Sequence, residues 1–208
     1  MERYILVVIL GYVFGCLQWS YILGRIIKKK DIRTLGVGNA GASNAVSVFG
    51  WKMGVAVALL DISKAIISII IIKYILKSSD MLSLYLNGTS VILGHNYPFF
   101  MGFRGGKGTA STVGMLLAIN LKLGLLGILV IAAVTIFTDY IALGTMALVS
   151  FFVIATFYLG YGPACILLAL FIALLSAYKH VPNMKRIMSK SELGLRNTIK
   201  SKSKSTSN

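Results

Sequence analysis

The chain has 208 residues, is 57% apolar and carries only 27 charged side chains, 21 Lys or Arg against 6 Asp or Glu. A mean hydropathy of +0.82 is too apolar for a water-soluble domain of this size and points to one integral-membrane domain. The net charge of +15 sits in islands and lacks the aromatic interleaving of a nucleic-acid surface, so no nucleic-acid partner is expected.

In chain order, the first apolar stretch covers 4–24. Phe14-Gly15-Cys16 is a poor processing site, so an uncleaved anchor is expected. A polar loop, 25–52, carries the first basic island: Arg25, Lys28, Lys29, Lys30 and Arg33. Spans at 53–76 and 81–100 follow, joined by Lys77-Ser78-Ser79-Asp80. A polar glycine-rich segment with Arg104 and Lys107 comes next, then apolar text at 109–120, 121–137, 140–159 and 161–177, and a basic tail.

If all three basic islands face the cytoplasm, an even number of spans separates each from the next. Seven spans satisfy this, with the N-terminus outside and the C-terminus inside; five is the fallback, because 109–120 is short for a crossing of about 20 residues. Residues 1–198 read as one polytopic domain and 199–208 as a disordered basic tail. Cys16 and Cys165 lie apart in apolar runs, with no metal-ligand spacing, so neither a disulfide, a metal nor a cofactor is expected.

Four polar groupings carry chemistry. Gly36, Gly38 and Gly41 fit a GxGxxG spacing, but no buried strand precedes them, so a dinucleotide site is rejected. What survives is a loop whose backbone and whose Asn39 and Asn44 side chains approach a ligand, or a tight turn into the next span with Asn44 as helix cap. Gly105-Gly106-Lys107-Gly108 lacks the first glycine and the terminal Ser/Thr of a Walker loop, which leaves an anion nest or a plain basic surface loop.

His180 keeps company with Lys179, Asn183, Lys185 and Arg186. On a helix, 179, 183 and 186 share a face, which suits a hydroxylated phosphate compound or a snorkelling interfacial helix. Asp61 and Lys64, three apart inside a span, are either a functional pair or a local neutralisation in which Lys64 reaches another helix. His95 and His180 each lack an Asp five positions on, so the HxxxxD dyad of common lipid acyltransferases is absent.

Together these segments resemble the bacterial PlsY family, the acyl-phosphate:glycerol-3-phosphate acyltransferases. GVGNAGASNAVS (36–47) is similar to that family's first motif, GHNYPFFMGFRGGKGTA (94–110) to its second, and KHVPNMKR (179–186) with Glu192 to its third. Asp61-Ile62-Ser63-Lys64 resembles its D-x-x-K.

The resemblance implies an all-helical seven-span protein of the bacterial cytoplasmic membrane, with its active face cytoplasmic. It implies acyl transfer from acyl phosphate to the sn-1 hydroxyl of glycerol 3-phosphate, giving lysophosphatidic acid in phospholipid synthesis. Lys107, His180 and Asn183 then become the catalytic candidates. Gly38, Asn39, Gly41, Ser43, Asn44, His95, Gly105, Gly106, Gly108 and Lys179 become candidates for substrate and phosphate binding.

The chain departs from the family pattern at Val37 and Ser47, where the pattern has Ser and Arg, and at Asp139 and Ala142, where it has Arg and Ser. Asp139 thereby reads as an acid repelling a phosphate. The departures keep a second reading alive, a slow or silent relative that binds lipid or acyl phosphate. A small transporter ranks third.

Overall fold

The computed structural model describes residues 2–197, and every regular element among them is a helix. The proposed tail at 199–208, and the domain boundary before it, lie outside the described residues. Five stretches are long and apolar enough to cross a bilayer: Glu2–Lys28, Trp51–Ile75, Leu121–Thr138, Ile141–Tyr158 and Pro163–Met188. The molecule is thus an all-helical, multi-pass integral-membrane protein.

The expected first span is not one helix. It breaks between α1 (Glu2–Gly15) and α2 (Trp19–Lys28). α2 is amphipathic and exposes Ile26 and Ile27, with Arg25 and Lys28 in its last turn. That pattern fits a helix lying along an interface. The loop after it holds a short helix, α3 (Ala42–Phe49), packed on α4 (Trp51–Ile70). The chain continues past α4 in wide turns, Leu76 N–H bonding the Ile71 carbonyl at 3.2 Å.

α5 (Met81–Asn96) is the central helix. At 16 residues it is shorter than the expected span, and it is buried on nearly every side, with α1, α4, α6 and α9 around it. Protein enclosure explains why it carries polar groups: Asn87 donates to the Val7 carbonyl at 2.9 Å and accepts from Ser68 at 2.8 Å. α6 (Thr109–Ile119) is shorter still, 11 residues, and packs against α4 and α7. Asn120 ends it and caps α7 (Leu121–Thr138), its Oδ1 accepting from Leu123 N–H at 3.2 Å.

α7, α8 (Ile141–Tyr158) and α9 (Pro163–Met188) pack in sequence and turn Leu125, Leu129, Phe157 and Leu174 outward. Helices apolar all round belong in lipid or in a protein core. α9 runs on well past residue 177, where the apolar text stops, and carries the third motif on its last turns. All three motifs therefore meet at one end of the bundle.

Candidate active site

The glycine segment folds back on the end of α5. Gly105 N–H donates to the Asn96 carbonyl at 3.1 Å and Gly106 N–H to the His95 carbonyl at 3.0 Å. A Cβ at Gly105 would strike the His95 carbonyl, and one at Gly106 would strike the His95 ring. Only glycine permits this approach. The bonds correct one expectation: the amides of Gly105 and Gly106 are spent inside the loop and cannot form an anion nest. Gly108 adopts the left-handed conformation, φ +85°, and opens α6.

The first-motif loop is built around Asn44, which is buried. Its Oδ1 accepts from Val37 N–H at 3.0 Å, and its Nδ2 donates to the carbonyls of Ile32, Leu35 and Asn39. Asn44 is thus neither the helix cap nor a group turned to a ligand; Gly41 caps α3, and Asn44 holds the loop's shape. Asn39 accepts from Gly41 N–H at 3.0 Å. Gly38 borders a separate cavity of about 290 Å³ with Asp31, Arg33 and Arg104. Arg33 hydrogen bonds hold the Asp31 carboxyl below the usual range, against the opposing effect of burial. Ser43 and Ser47 are exposed, Ser47 donating back to the Ser43 carbonyl at 3.3 Å.

On α9, Ser176 fixes the tautomer of His180. Nδ1 lies 2.8 Å from the Ser176 carbonyl and must donate to it, which leaves Nε2 with its lone pair. Asn183 accepts from the Lys107 ammonium and donates to Glu192 Oε1 at 2.5 Å. Glu192 Oε2 accepts from Arg186 Nε at 2.5 Å. Lys179 sits over the Tyr97 ring at 4.6 Å. Glu192 belongs to the third motif, but its grip on Asn183 and Arg186 was not readable, because it lies past the helix on a turn that folds back.

A cavity of about 360 Å³ opens where the three segments meet. Val37 and Asn39 come from the first loop, Gly105, Gly106 and Lys107 from the second, and Lys179 and Arg186 from α9. Three cations thus share one hollow. Burial, with Arg186 and Lys179 nearby, pushes the Lys107 ammonium down to about 8, while Glu192 opposes the shift. Crowded cations under partial burial favour an anionic ligand that neutralises them.

Inside the bundle from this cavity lies a closed ionic cluster. Lys64 is 2.8 Å from Asp61, 2.9 Å from His95 Nδ1, and donates to the carbonyls of Gly15 and Leu17 at 3.0 and 2.7 Å. Lys64 therefore neutralises Asp61 and reaches two further helices. His95 supports the loop from its buried side, behind Gly106 and away from the cavity's rim. Gln18, whose sequence gave no signal, donates to the His95 carbonyl at 2.8 Å.

Asp139 does not line the cavity. It ends α7 in the left-handed conformation, and its carboxylate accepts from Arg196 N–H at 2.8 Å. The acid facing a phosphate, expected from the sequence, is instead a dock for the chain's C-terminal segment. Ala142 is buried in α8.

Fold and site together define a helical membrane protein with a cationic hollow, roomy enough for a small molecule, at one end of its bundle. The chain matches the glycerol-3-phosphate acyltransferase family over residues 5–190, and it belongs to that family. It is 43% identical over 198 residues to glycerol-3-phosphate acyltransferase 1 of Oceanobacillus iheyensis, covering 92% of this chain and 95% of that one. It is 34% identical to the glycerol-3-phosphate acyltransferase of Thermoanaerobacter pseudethanolicus, covering 94% and 98%. Its fold is similar to the crystal structure of PlsY, an integral membrane glycerol 3-phosphate acyltransferase, in its glycerol 3-phosphate form. There the TM-score is 0.84 at 30% identity, over 92% of this chain and 95% of that one. The lysophosphatidic acid form gives 0.80 at 29%.

Proposed function

We propose that this chain passes an acyl group from acyl phosphate to the sn-1 hydroxyl of glycerol 3-phosphate, in the cavity between the two loops and α9. The supporting observation is the convergence of Lys107, Lys179 and Arg186 on one hollow of about 360 Å³. Both substrates carry phosphate, and so does each product, lysophosphatidic acid and inorganic phosphate.

In the reaction the hydroxyl oxygen attacks the acyl carbonyl. The carbon–oxygen bond to phosphate breaks, the new ester forms, and the hydroxyl proton leaves with a phosphate oxygen. Phosphate is a good leaving group, so the protein's task is to position substrates and neutralise charge. Lys107 faces the phosphate that leaves. His180 Nε2, left with its lone pair, orients glycerol 3-phosphate by accepting from its other hydroxyl, and Asn183 fixes Lys107. Asn39 and Lys179 complete the binding of glycerol 3-phosphate, while Gly38, Gly41, Ser43, Asn44, His95, Gly105, Gly106 and Gly108 shape the loops.

The topology belongs to the same reading. Seven helices cross the bacterial cytoplasmic membrane, α1 with Ile5, Leu6, Ile9 and Val13 turned outward, and the short α5 and α6 because protein encloses them. The N-terminus lies outside, and residues 25–52, 101–109 and 178–197 lie inside with their cations. The soluble acceptor then meets the donor's headgroup at the cytoplasmic face. Donor choice is tested by supplying purified protein with acyl phosphate or an acyl thioester. Ester formed from acyl phosphate alone supports the reading; ester from the thioester alone overturns it.

A second reading, binding without turnover, draws on Val37. Its side chain stands at the cavity wall, 49% exposed, and offers no hydrogen bond to a phosphate.

A further inference from the structure

The segment after α9 is tied down at two ends, and one tie reaches across the molecule. Where α9 ends, the chain reverses: Ser191 and Glu192 N–H both bond the Arg186 carbonyl, at 2.8 and 3.1 Å. Two residues beyond Glu192 the same segment lands on the turn between α7 and α8. Leu195 N–H donates to the Asp139 carbonyl at 2.8 Å, and Arg196 N–H to the Asp139 carboxylate at 2.8 Å. The Arg196 guanidinium adds a bond to the Ile136 carbonyl at 3.2 Å. Gly194 lies buried against the carboxylate, so close that a Cβ would collide with its Oδ2 and its carbon. Glu192, suspended between these anchors, holds Asn183 and Arg186, and Asn183 holds Lys107.

We propose that Asp139 is a positioning residue. It docks residues 194–196 as a strap, and the strap places Glu192 so that Arg186 directly, and Lys107 through Asn183, present their cations to the cavity. The proposal deepens the acyltransferase reading by giving Asp139, some distance along the chain from every loop of the cavity, an indirect part in glycerol 3-phosphate binding. The physics is that of a short tether. The turn fixes Glu192 from the α9 side only, and fixing the residues after it narrows its remaining freedom, so that ordering is not left to the binding step.

The test uses the full chain in detergent or vesicles, with two readouts. The first is kcat and KM for glycerol 3-phosphate. The second is the rate of trypsin cleavage after Lys190 and Arg196, both exposed. Asp139→Ala and Gly194→Ala should each raise KM about fivefold, the worth of one ordinary hydrogen bond, and speed cleavage, with kcat little changed. Asp139→Asn keeps the acceptor for Arg196 N–H and should stay within about twofold of wild type in both. The Asp139→Ala/Gly194→Ala pair should match Asp139→Ala alone, because the collision at Gly194 needs the carboxylate. Unchanged KM and cleavage in Asp139→Ala, or additive effects in the pair, would overturn the proposal. Should Asp139→Ala lower the thermal midpoint until it no longer folds, Gly194→Ala and Asp139→Asn decide instead. If the wild-type chain transfers no acyl group, the acyltransferase reading fails, and the trypsin arm alone still decides the strap.

Discussion

The ammonium of Lys64 lies 2.9 Å from Nδ1 of His95, inside the bundle and on the buried side of the glycine loop. Asp61 completes the cluster at 2.8 Å from the same ammonium, and both side chains of that ion pair are 1% exposed. Removing one member strands a buried charge. Lys64→Met should therefore destabilise the protein by roughly 3–5 kcal/mol, read as a lower thermal midpoint in detergent. The pair Asp61→Asn/Lys64→Met removes both charges and should recover part of that loss. A pair no more stable than Lys64→Met would show that Lys64 acts through its carbonyl partners and not through Asp61.

Lys107 gives a pH prediction. Its ammonium is pushed down to about 8, first by burial. The protonated form binds phosphate, so affinity for glycerol 3-phosphate should hold below that pH and fall as pH rises through it. The fall should approach about tenfold per pH unit, since each bound phosphate then requires one proton taken up. In Lys107→Arg the guanidinium stays charged throughout. Overall affinity drops because the fork does not fit Asn183 as an ammonium does, but the slope above pH 8 should vanish. A slope that persists in Lys107→Arg would move the titration to another group.

Much of this arrangement was legible in the chain. The breaks near 120, 139 and 160 fall where Asn120, Asp139 and Gly162 end or begin helices, because polar and glycine residues interrupt an otherwise uniform apolar text. The broken first span was not legible. Gly15-Cys16-Leu17 continues the apolar run, and hydropathy does not register a backbone break. The break frees the carbonyls of Gly15 and Leu17 to accept from Lys64, a residue 47 positions beyond Leu17. The roles of Asn44 and Asp139 were missed for a related reason. Residue type shows what a side chain offers, whereas both side chains are consumed by backbone groups that only the folded chain brings near.

Val37 is the departure that faces the cavity; Ser47 lies exposed on α3. Val37→Ser should raise kcat/KM for glycerol 3-phosphate by about tenfold, the worth of one hydrogen bond to a charged group. Ser47→Arg alone should add little, as its position does not border the hollow. Steady-state kinetics on the single and double variants check this. An unchanged Val37→Ser enzyme would mean that the phosphate sits elsewhere in the cavity.

Topology is checked by labelling. Both native cysteines are buried, so Leu35→Cys in a background with Cys16→Ala and Cys165→Ala reports one site. An impermeant thiol reagent should fail to label it in intact cells and should label it after lysis. Labelling from outside would place the first basic loop, and the cavity with it, on the opposite face.

The central claim is that the cavity around Lys107 performs acyl transfer. Purified protein is given acyl phosphate and labelled glycerol 3-phosphate with EDTA present, and lysophosphatidic acid and inorganic phosphate are measured. EDTA is included because no three His, Cys, Asp or Glu side chains converge among the described residues. The account predicts equal amounts of the two products from the wild-type chain, and loss of both in Lys107→Ala without loss of fold. Product formation that survives Lys107→Ala, or phosphate released without lysophosphatidic acid, would contradict it.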